Sequence, residues 1–519
     1  MSDQSAQLHD LFRRAWEAEL AASPELATYL GVPGHDHRWS DRSAEAISAK
    51  AASDRAFLAE LRAIERAALG DSDRTSFDVF EHLYARRVAL QRFPTHVVAF
   101  TTLDGPHVDI NRFLEMTNDE DARSARRASM GDYIDQVIAL LDEGRSLGVT
   151  HHRHAIRTVP DEVAALVPSL GEPMARYERY LRDTYLPGCR ESVGWSNVPG
   201  GEEWYAELVA HHTTTSLSPR EIHEMGHEEV ARIRSEMDSA RAEAGFDGDL
   251  TAFAAFLRTD PRFFCTTAED LLTRYREICK RIDPLLVGLF GTLPRLPYGV
   301  KEIPAHEAPG QTTAYYWPGS PTAPRPGWYM ANTYDLPSRP IWEMDALTLH
   351  EAVPGHHLQI ALAAEIDDLP EFRKHEYLTA YVEGWALYAE SLGSELDCYR
   401  DPYSRFGQLT YEMWRAVRLV VDTGMHALGW SGQQAIDFFT ENAAKTAHDI
   451  EVEVDRYISW PGQALAYKLG ELKIKELRAR ATAGMGAAFD VRAFHDLVLG
   501  AGPLPLDLLE QRVDAWINP

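Results

Sequence analysis

The run Leu349-His350-Glu351-Ala352-Val353-Pro354-Gly355-His356-His357 gathers three imidazoles and a carboxylate, the donor types that hold a divalent transition ion. In an unbroken helix His356 stands six residues from His350, ~9 Å along the axis and on another face, and His357 stands ~10.5 Å away. Zinc–nitrogen bonds are only ~2.1 Å long, so neither pair shares an ion unless the helix bulges or breaks. Pro354 removes a backbone donor and Gly355 accepts unusual dihedrals, which makes Pro-Gly a sensible breaking point. On spacing alone two outcomes stay open. Either the insertion brings His356 back beside His350, or Pro-Gly simply ends a helix and the histidines line a polar cap. Glu383, 33 positions after His350 and set among Tyr381, Trp385 and Tyr388, favours the first, because a buried carboxylate is costly unless paired or bound to metal. The interval is long enough for one helix to end and another to return antiparallel. Glu390 lies two turns further along the same face, either as a group that orients a histidine or as an exposed helix carboxylate.

A second motif competes. His223-Glu224-Met225-Gly226-His227 matches His-Glu-x-x-His, whose histidines, four apart on a helix, present two imidazoles to one ion. The apolar stripe of that helix runs through Ile222, Gly226, Val230 and Ile233, with the histidines at its flank and Glu224 opposite. No further ligand follows at the expected extensions, where Val230 and Ile233 stand. His223 and His227 are therefore read as ordinary flanking histidines, and the metal site is assigned to the later segment.

The elements that must carry these groups are mostly helical. Leu8, Leu11, Phe12 and Trp16 recur at spacings of three and four, as do Phe57, Leu58, Leu61 and Ile64, then Phe77, Phe80 and Leu83, and Tyr133, Val137, Leu140 and Leu141. Ser218, Pro219 and Glu221 supply an N-cap, a first-turn proline and an N3 carboxylate ahead of Ile222 and Met225. Between about Leu293 and Pro340 the texture turns to Pro, Gly and aromatic runs, which predicts short strands or extended loops. Helical periodicity then returns and persists to the end.

The sequence has 519 residues, 52 Lys+Arg and 79 Asp+Glu, giving a formal charge of −27. Such a surface repels a phosphate backbone or an anionic bilayer, so neither nucleic acid nor membrane is expected as a partner. Cys189, Cys265, Cys279 and Cys398 show no paired spacing and read as reduced thiols. The beginning lacks a signal-peptide pattern and no stretch approaches ~18 consecutive apolar residues, which together predict a cytoplasmic chain.

These residues resemble a bacterial family catalogued as domain of unknown function 885, whose members look like zinc peptidases of the gluzincin type. The hallmark His-Glu-x-x-Pro-Gly-His is carried as His350, Glu351, Pro354, Gly355 and His356, followed by Glu383-Gly-Trp-Ala. Further matches are Pro-Gly-Trp-Tyr-Met-Ala-Asn ending at Asn332, the stretch from Arg418 through Asp422 to His426, and the stretch from Pro461 through Tyr467 to Gly470. The resemblance implies one zinc ion per chain held by His350, His356 and Glu383, with Glu351 as general base and His357, like Glu390, a group behind the ligands. Tyr467 is the candidate donor to an oxyanion, or else a core tyrosine. Tyr329 and Asn332 are candidates for pairing with a peptide backbone, or else shape a turn. Arg418 and His426, eight apart, are candidates for gripping a substrate carboxylate; the alternative is an Arg418–Asp422 salt bridge.

The expected architecture is mainly α: a large two-lobed helical metallopeptidase-like fold with a small extended or β segment beside a deep central cleft. Residues 1–519 form one two-lobed domain, with a helical lobe over 1–300 and a lobe carrying the metal site over 301–519. The expected function is zinc-dependent hydrolysis of a peptide or small amide substrate. The alternatives are a non-catalytic helical binding protein with a structural metal, and a metal-dependent hydrolase of other amides or esters. Structural zinc sites are usually closed by four ligands, often cysteine, and no cysteine lies near His350, which favours an open site.

Overall fold

The computed structural model describes residues 3–305, 307–321 and 325–518. It is mainly helical, and its one sheet has three strands: β1 (Tyr298–Glu302), β2 (Ala314–Trp317) and β3 (Gly327–Ala331). The order is β1-β3-β2, with β1 parallel and β2 antiparallel to β3, so β2 lies at an edge. The strands fall inside the Pro, Gly and aromatic stretch, and helices flank it on both sides. Among the described residues no helix is long and apolar enough to cross a membrane. All four cysteines are free and buried.

Local chemistry sets the helix ends that matter. Ser218 and Glu221 form a capping box that starts the helix Pro219–Glu243. Asp401 and Ser404 do the same for the helix Pro402–Ala427, which is buried along almost its whole length. The helix Met344–Glu351 stops after Glu351, and a new one, His356–Ala364, begins at the second histidine. Gly355 makes that reversal possible: a Cβ there would lie 2.0 Å from the carbonyl oxygen of His350 and 2.3 Å from that of Leu349. The Val353–Pro354 peptide within the break is cis.

Three buried apolar clusters dominate the interior. The first draws Leu8, Leu11, Phe12, Leu61, Phe77 and Phe80 together with residues from Cys265 to Val513, so distant parts of the chain share one core. The second joins the helices Pro219–Glu243 and Pro402–Ala427 to those following residue 430. The third lies within residues 39–189.

The helix Thr379–Leu392, which carries Glu383, packs against Ala466–Met485 at a pair of glycines. A Cβ on Gly384 would sit 2.5 Å from the Gly470 Cα, and one on Gly470 would sit 1.8 Å from the Ala380 carbonyl oxygen. The two backbones meet there because neither position carries a side chain. Gly470→Ala is therefore expected to destabilise the protein by ~1–3 kcal/mol or more, the range of an overpacked core. Urea unfolding of the purified variant reads this, and an unchanged midpoint would show that the helices do not approach so closely.

Candidate metal centre

The reversal at Ala352–Gly355 brings His356 beside His350, with ring centroids 4.7 Å apart and planes at 87°. Glu383 reaches both: its Oε2 is 3.6 Å from His350 Nε2 and 3.7 Å from His356 Nε2. One ligand atom from each of the three residues falls within 4.8 Å of the others, and all three side chains are buried. Two atoms bound tetrahedrally at ~2.1 Å lie ~3.4 Å apart, close to the two separations from Glu383, so the donor set suits one ion.

Outer partners aim each donor inward. Glu390, fully buried, accepts from His350 Nδ1 at 2.8 Å, which turns Nε2 toward Glu383. The Tyr377 hydroxyl donates to Glu383 Oε1 at 2.7 Å and leaves Oε2 for the histidines. Trp385, two residues after Glu383, donates its indole N–H to the Pro354 carbonyl at 2.8 Å and so ties the helix break to the Glu383 helix. Tyr377 is itself 55% exposed, so the cluster lies one side chain from solvent.

The electrostatics show what the trio demands. Burial pushes His356 down to about 4, keeping it a neutral lone-pair donor. Burial works against charge on His350 too, but the carboxylates of Glu383 and Glu390 overcome it and raise the ring to about 9. Glu383 is likewise opposed by burial, and His356 and His350 still hold it near 2. Positive charge is favoured at the meeting point of these side chains.

Glu351, adjacent to His350, is buried and accepts from the Tyr316 backbone N–H on the edge strand β2. Burial, reinforced by Glu383, raises its carboxyl to about 7, against the pull of His350 and Arg415. His357 is not part of the trio. Its Nδ1 accepts from the Tyr316 hydroxyl at 2.9 Å while its other nitrogen donates to the Leu296 carbonyl, so it struts the sheet against the metal helix.

Tyr467 is the half-buried member of an otherwise buried turn, close enough to Glu383 to feel its charge. Arg418 stacks on its ring at 4.6 Å. Gln463 takes a hydrogen bond from Arg456 at 2.9 Å through Oε1, which leaves its amide nitrogen for the Tyr467 hydroxyl. An arginine only donates, so the amide orientation is fixed by chemistry.

Several residues singled out by sequence are used elsewhere. Arg418 is buried and donates to the Tyr457 hydroxyl at 2.9 Å and to Glu453 at 3.1 Å; it does not pair with Asp422. Asp422 instead accepts from the Tyr205 hydroxyl at 2.5 Å and the Gly462 N–H at 3.1 Å. His426 is fully buried, with one ring nitrogen at the Trp195 N–H and the other at the Tyr457 carbonyl, so it offers no group to a ligand. Tyr329 is fully buried against Tyr275. Asn332 spends its amide on the carbonyls of Ala308, Gln311 and Thr312 and its oxygen on the Tyr334 N–H, which pins a loop rather than a peptide. Tyr315 and Tyr316 are half-buried and Trp317 is 38% exposed on β2, beside Glu351. Sequence reading gave no role to Gln463, which stands inside the matched stretch from Pro461 to Gly470, and missed Tyr377 and Arg415. The last lies near Glu390, at 3.9 Å, and its charge reaches Glu351 and His356. No spacing rule marks any of the three.

A mainly helical chain with a buried His-His-Glu trio and a neighbouring glutamate is thus the class that fold and site define. The chain belongs to the family described as "Bacterial protein of unknown function (DUF885)", whose model matches residues 24–172 and 164–513. Its fold is similar to that of a crystal structure from Colwellia psychrerythraea described as a "putative lipoprotein", with 25% identity, a TM-score of 0.89 and 100% of both chains covered. It is also similar to a "putative lipoprotein of unknown function" from Shewanella oneidensis, with 17% identity, a TM-score of 0.74 and 98% and 99% of the two chains covered. No curated protein matches the chain.

Asp422 provides a test of the packing behind the site. Burial raises its carboxyl to about 7, against the hydrogen bonds from Tyr205 and Gly462. The folded state therefore keeps a proton that the unfolded chain loses near pH ~3.9, and stability falls as pH rises from about 4 to about 7. Over that window the loss is on the order of 4 kcal/mol. Asp422→Asn is expected to flatten this part of the Tm–pH curve, and a wild-type and variant pair with parallel curves would refute it.

Proposed function

We propose that the chain is a zinc-dependent hydrolase of peptide bonds. The observation that carries the reading is the convergence of His350, His356 and Glu383 with Glu351 directly beside them. The donor set, two imidazoles and one carboxylate, is that of an open catalytic zinc site rather than a four-ligand structural one. When bound there, the ion supplies Lewis acidity and makes a water acidic enough to be deprotonated near neutral pH.

Glu351 is placed to take the proton from the attacking water and return it to the leaving amine. Its raised affinity for a proton suits both halves of that task. Glu390 keeps the His350 ring in register, and Tyr377 does the same for the Glu383 carboxylate. Tyr467 accepts from Gln463, so its own O–H is directed away from that partner and available to an oxyanion. The edge position of β2 supports a peptide substrate. The Tyr316 N–H of this edge strand already binds Glu351 and the Ala314 carbonyl accepts from the Thr312 hydroxyl, so a substrate chain would lie beside the strand end nearest Glu351. The charge of −27 speaks against nucleic acid as the substrate.

Glu351→Gln is expected to keep a stoichiometric ion while lowering turnover by ~10²–10⁴-fold, the usual worth of a general base. His350→Ala is expected to lose both ion and turnover. Metal analysis, together with a peptide library assayed with and without chelator, checks this. Full activity in Glu351→Gln would remove the base assignment, and chelator-insensitive cleavage would remove the metal. Glu390→Gln is expected to weaken metal affinity ~10–100-fold with little change in fold. A competition titration with a chromogenic chelator measures that, and unchanged affinity would make Glu390 a spectator.

A further inference from the structure

The helix Pro219–Glu243 carries a feature that the proposed hydrolase does not use. His223 and His227, four residues apart, converge so that their Nε2 atoms are 3.2 Å apart. Two nitrogens bound to one ion at ~2.1 Å lie ~3.0 Å apart at a right angle and ~3.4 Å apart at the tetrahedral angle. The observed separation falls between those values.

The surroundings fix the first imidazole in the form that binds metal. His223 Nδ1 lies 2.9 Å from Thr423 Oγ1 and 3.1 Å from the Val420 carbonyl oxygen. The threonine hydroxyl donates to the carbonyls of Leu419 and Val420. Both atoms therefore accept from the ring, Nδ1 carries the proton, and the Nε2 lone pair points at His227. Gly226 permits this approach, since a Cβ there would lie 2.8 Å from both Leu419 Cβ and Val420 Cγ2. The rings of Trp430 and Phe438 flank the pair at 5.3 and 5.4 Å. His223 is half-buried and His227 exposed, so one donor is held rigidly and the other is open to solvent.

We propose that His223 and His227 form a second, solvent-facing site for a borderline divalent transition ion such as Cu²⁺, Ni²⁺ or Zn²⁺. Among the described residues, only His350, His356 and Glu383 form a group of three or more potential ligands, so no third protein donor completes the outer pair. Its remaining positions go to water or to a donor brought by another molecule. Binding needs one proton to move: His227, which donates from Nε2 to His223 in the free pair, shifts that proton to Nδ1 and offers Nε2. The net acidity of the chain favours a dication. Glu224 is exposed, and the pair has no third protein ligand among the described residues, so this is a binding site rather than a second catalytic one.

The test uses untagged full-length protein already loaded with one equivalent of zinc, titrated with Cu²⁺ and followed by calorimetry and electron paramagnetic resonance. The expected result is one further equivalent whose spectrum reports nitrogen ligation. Its affinity should fall at least tenfold in His227→Ala and in His223→Gln and stay unchanged in Glu224→Gln, which keeps the inner site intact. Copper should also raise the Tm of wild type but not of His227→Ala, because the ion clamps two turns of one helix. His227 is exposed, so its truncation leaves the fold intact. No further equivalent, or one that persists in both histidine variants, would overturn the proposal without touching the hydrolase reading, which rests on His350.

Discussion

Carboxylates removed from water must be answered by positive charge or hydrogen bonds, and this constraint organises the centre of the molecule. Glu383, Glu390 and Glu351 lie within one buried neighbourhood. Glu390 is answered by His350 and Glu383 by Tyr377 and two imidazoles; Glu351 has a backbone N–H from the sheet. The break after Glu351 and the glycine contact at Gly384 and Gly470 both serve this arrangement. The first folds two histidines onto one spot, and the second sets the distance between the Glu383 helix and the helix that begins beside Tyr467.

The same principle holds the surrounding helices. Lys468, next to Tyr467, is fully buried and contacts Glu471 at 2.6 Å, Glu412 at 2.8 Å and Glu229 at 3.0 Å. These acids come from the helices Ala466–Met485, Pro402–Ala427 and Pro219–Glu243, and Arg232 and Lys475 add two further cations to the acids. Three bases facing three acids leave the group balanced. Such a cluster contributes modest net stability but penalises any slip that separates its members, because a lone buried charge costs several kcal/mol. It thereby indexes the three helices around Tyr467.

Where the determining chemistry is local, the sequence could be read. Pro354-Gly355 announces a break, Ser218 with Glu221 announces a helix start, and a glutamate among aromatics announces a buried carboxylate. The alternation of Pro, Gly and aromatic residues before Pro340 likewise marked the sheet. What spacing could not say is which neighbour a side chain meets. Arg418 and Asp422 sit at salt-bridge spacing, yet Arg418 turns to Glu453 and Tyr457 while Asp422 turns to Tyr205. His426, Tyr329 and Asn332 have the right types for a site but are consumed by packing that only the tertiary fold decides. Tyr377 shows the converse, since nothing near it in sequence signals a hydrogen bond to Glu383.

The first apolar core has a consequence for the order in which the protein is made. Phe12 meets Phe372 tilted and Phe80 meets it edge-to-face, and Leu8, Leu61 and Phe77 share their cluster with residues from Cys265 onward. From Tyr84 to Cys265, the next residue of that cluster, the ribosome must add 265 − 84 = 181 residues, which takes ~10–40 s at ~5–20 residues per second. During that interval the earliest helices have been synthesised without most of the surface that will cover them. Their greasy stripes must stay sequestered among themselves, or under a chaperone, until the second half of translation delivers the partners.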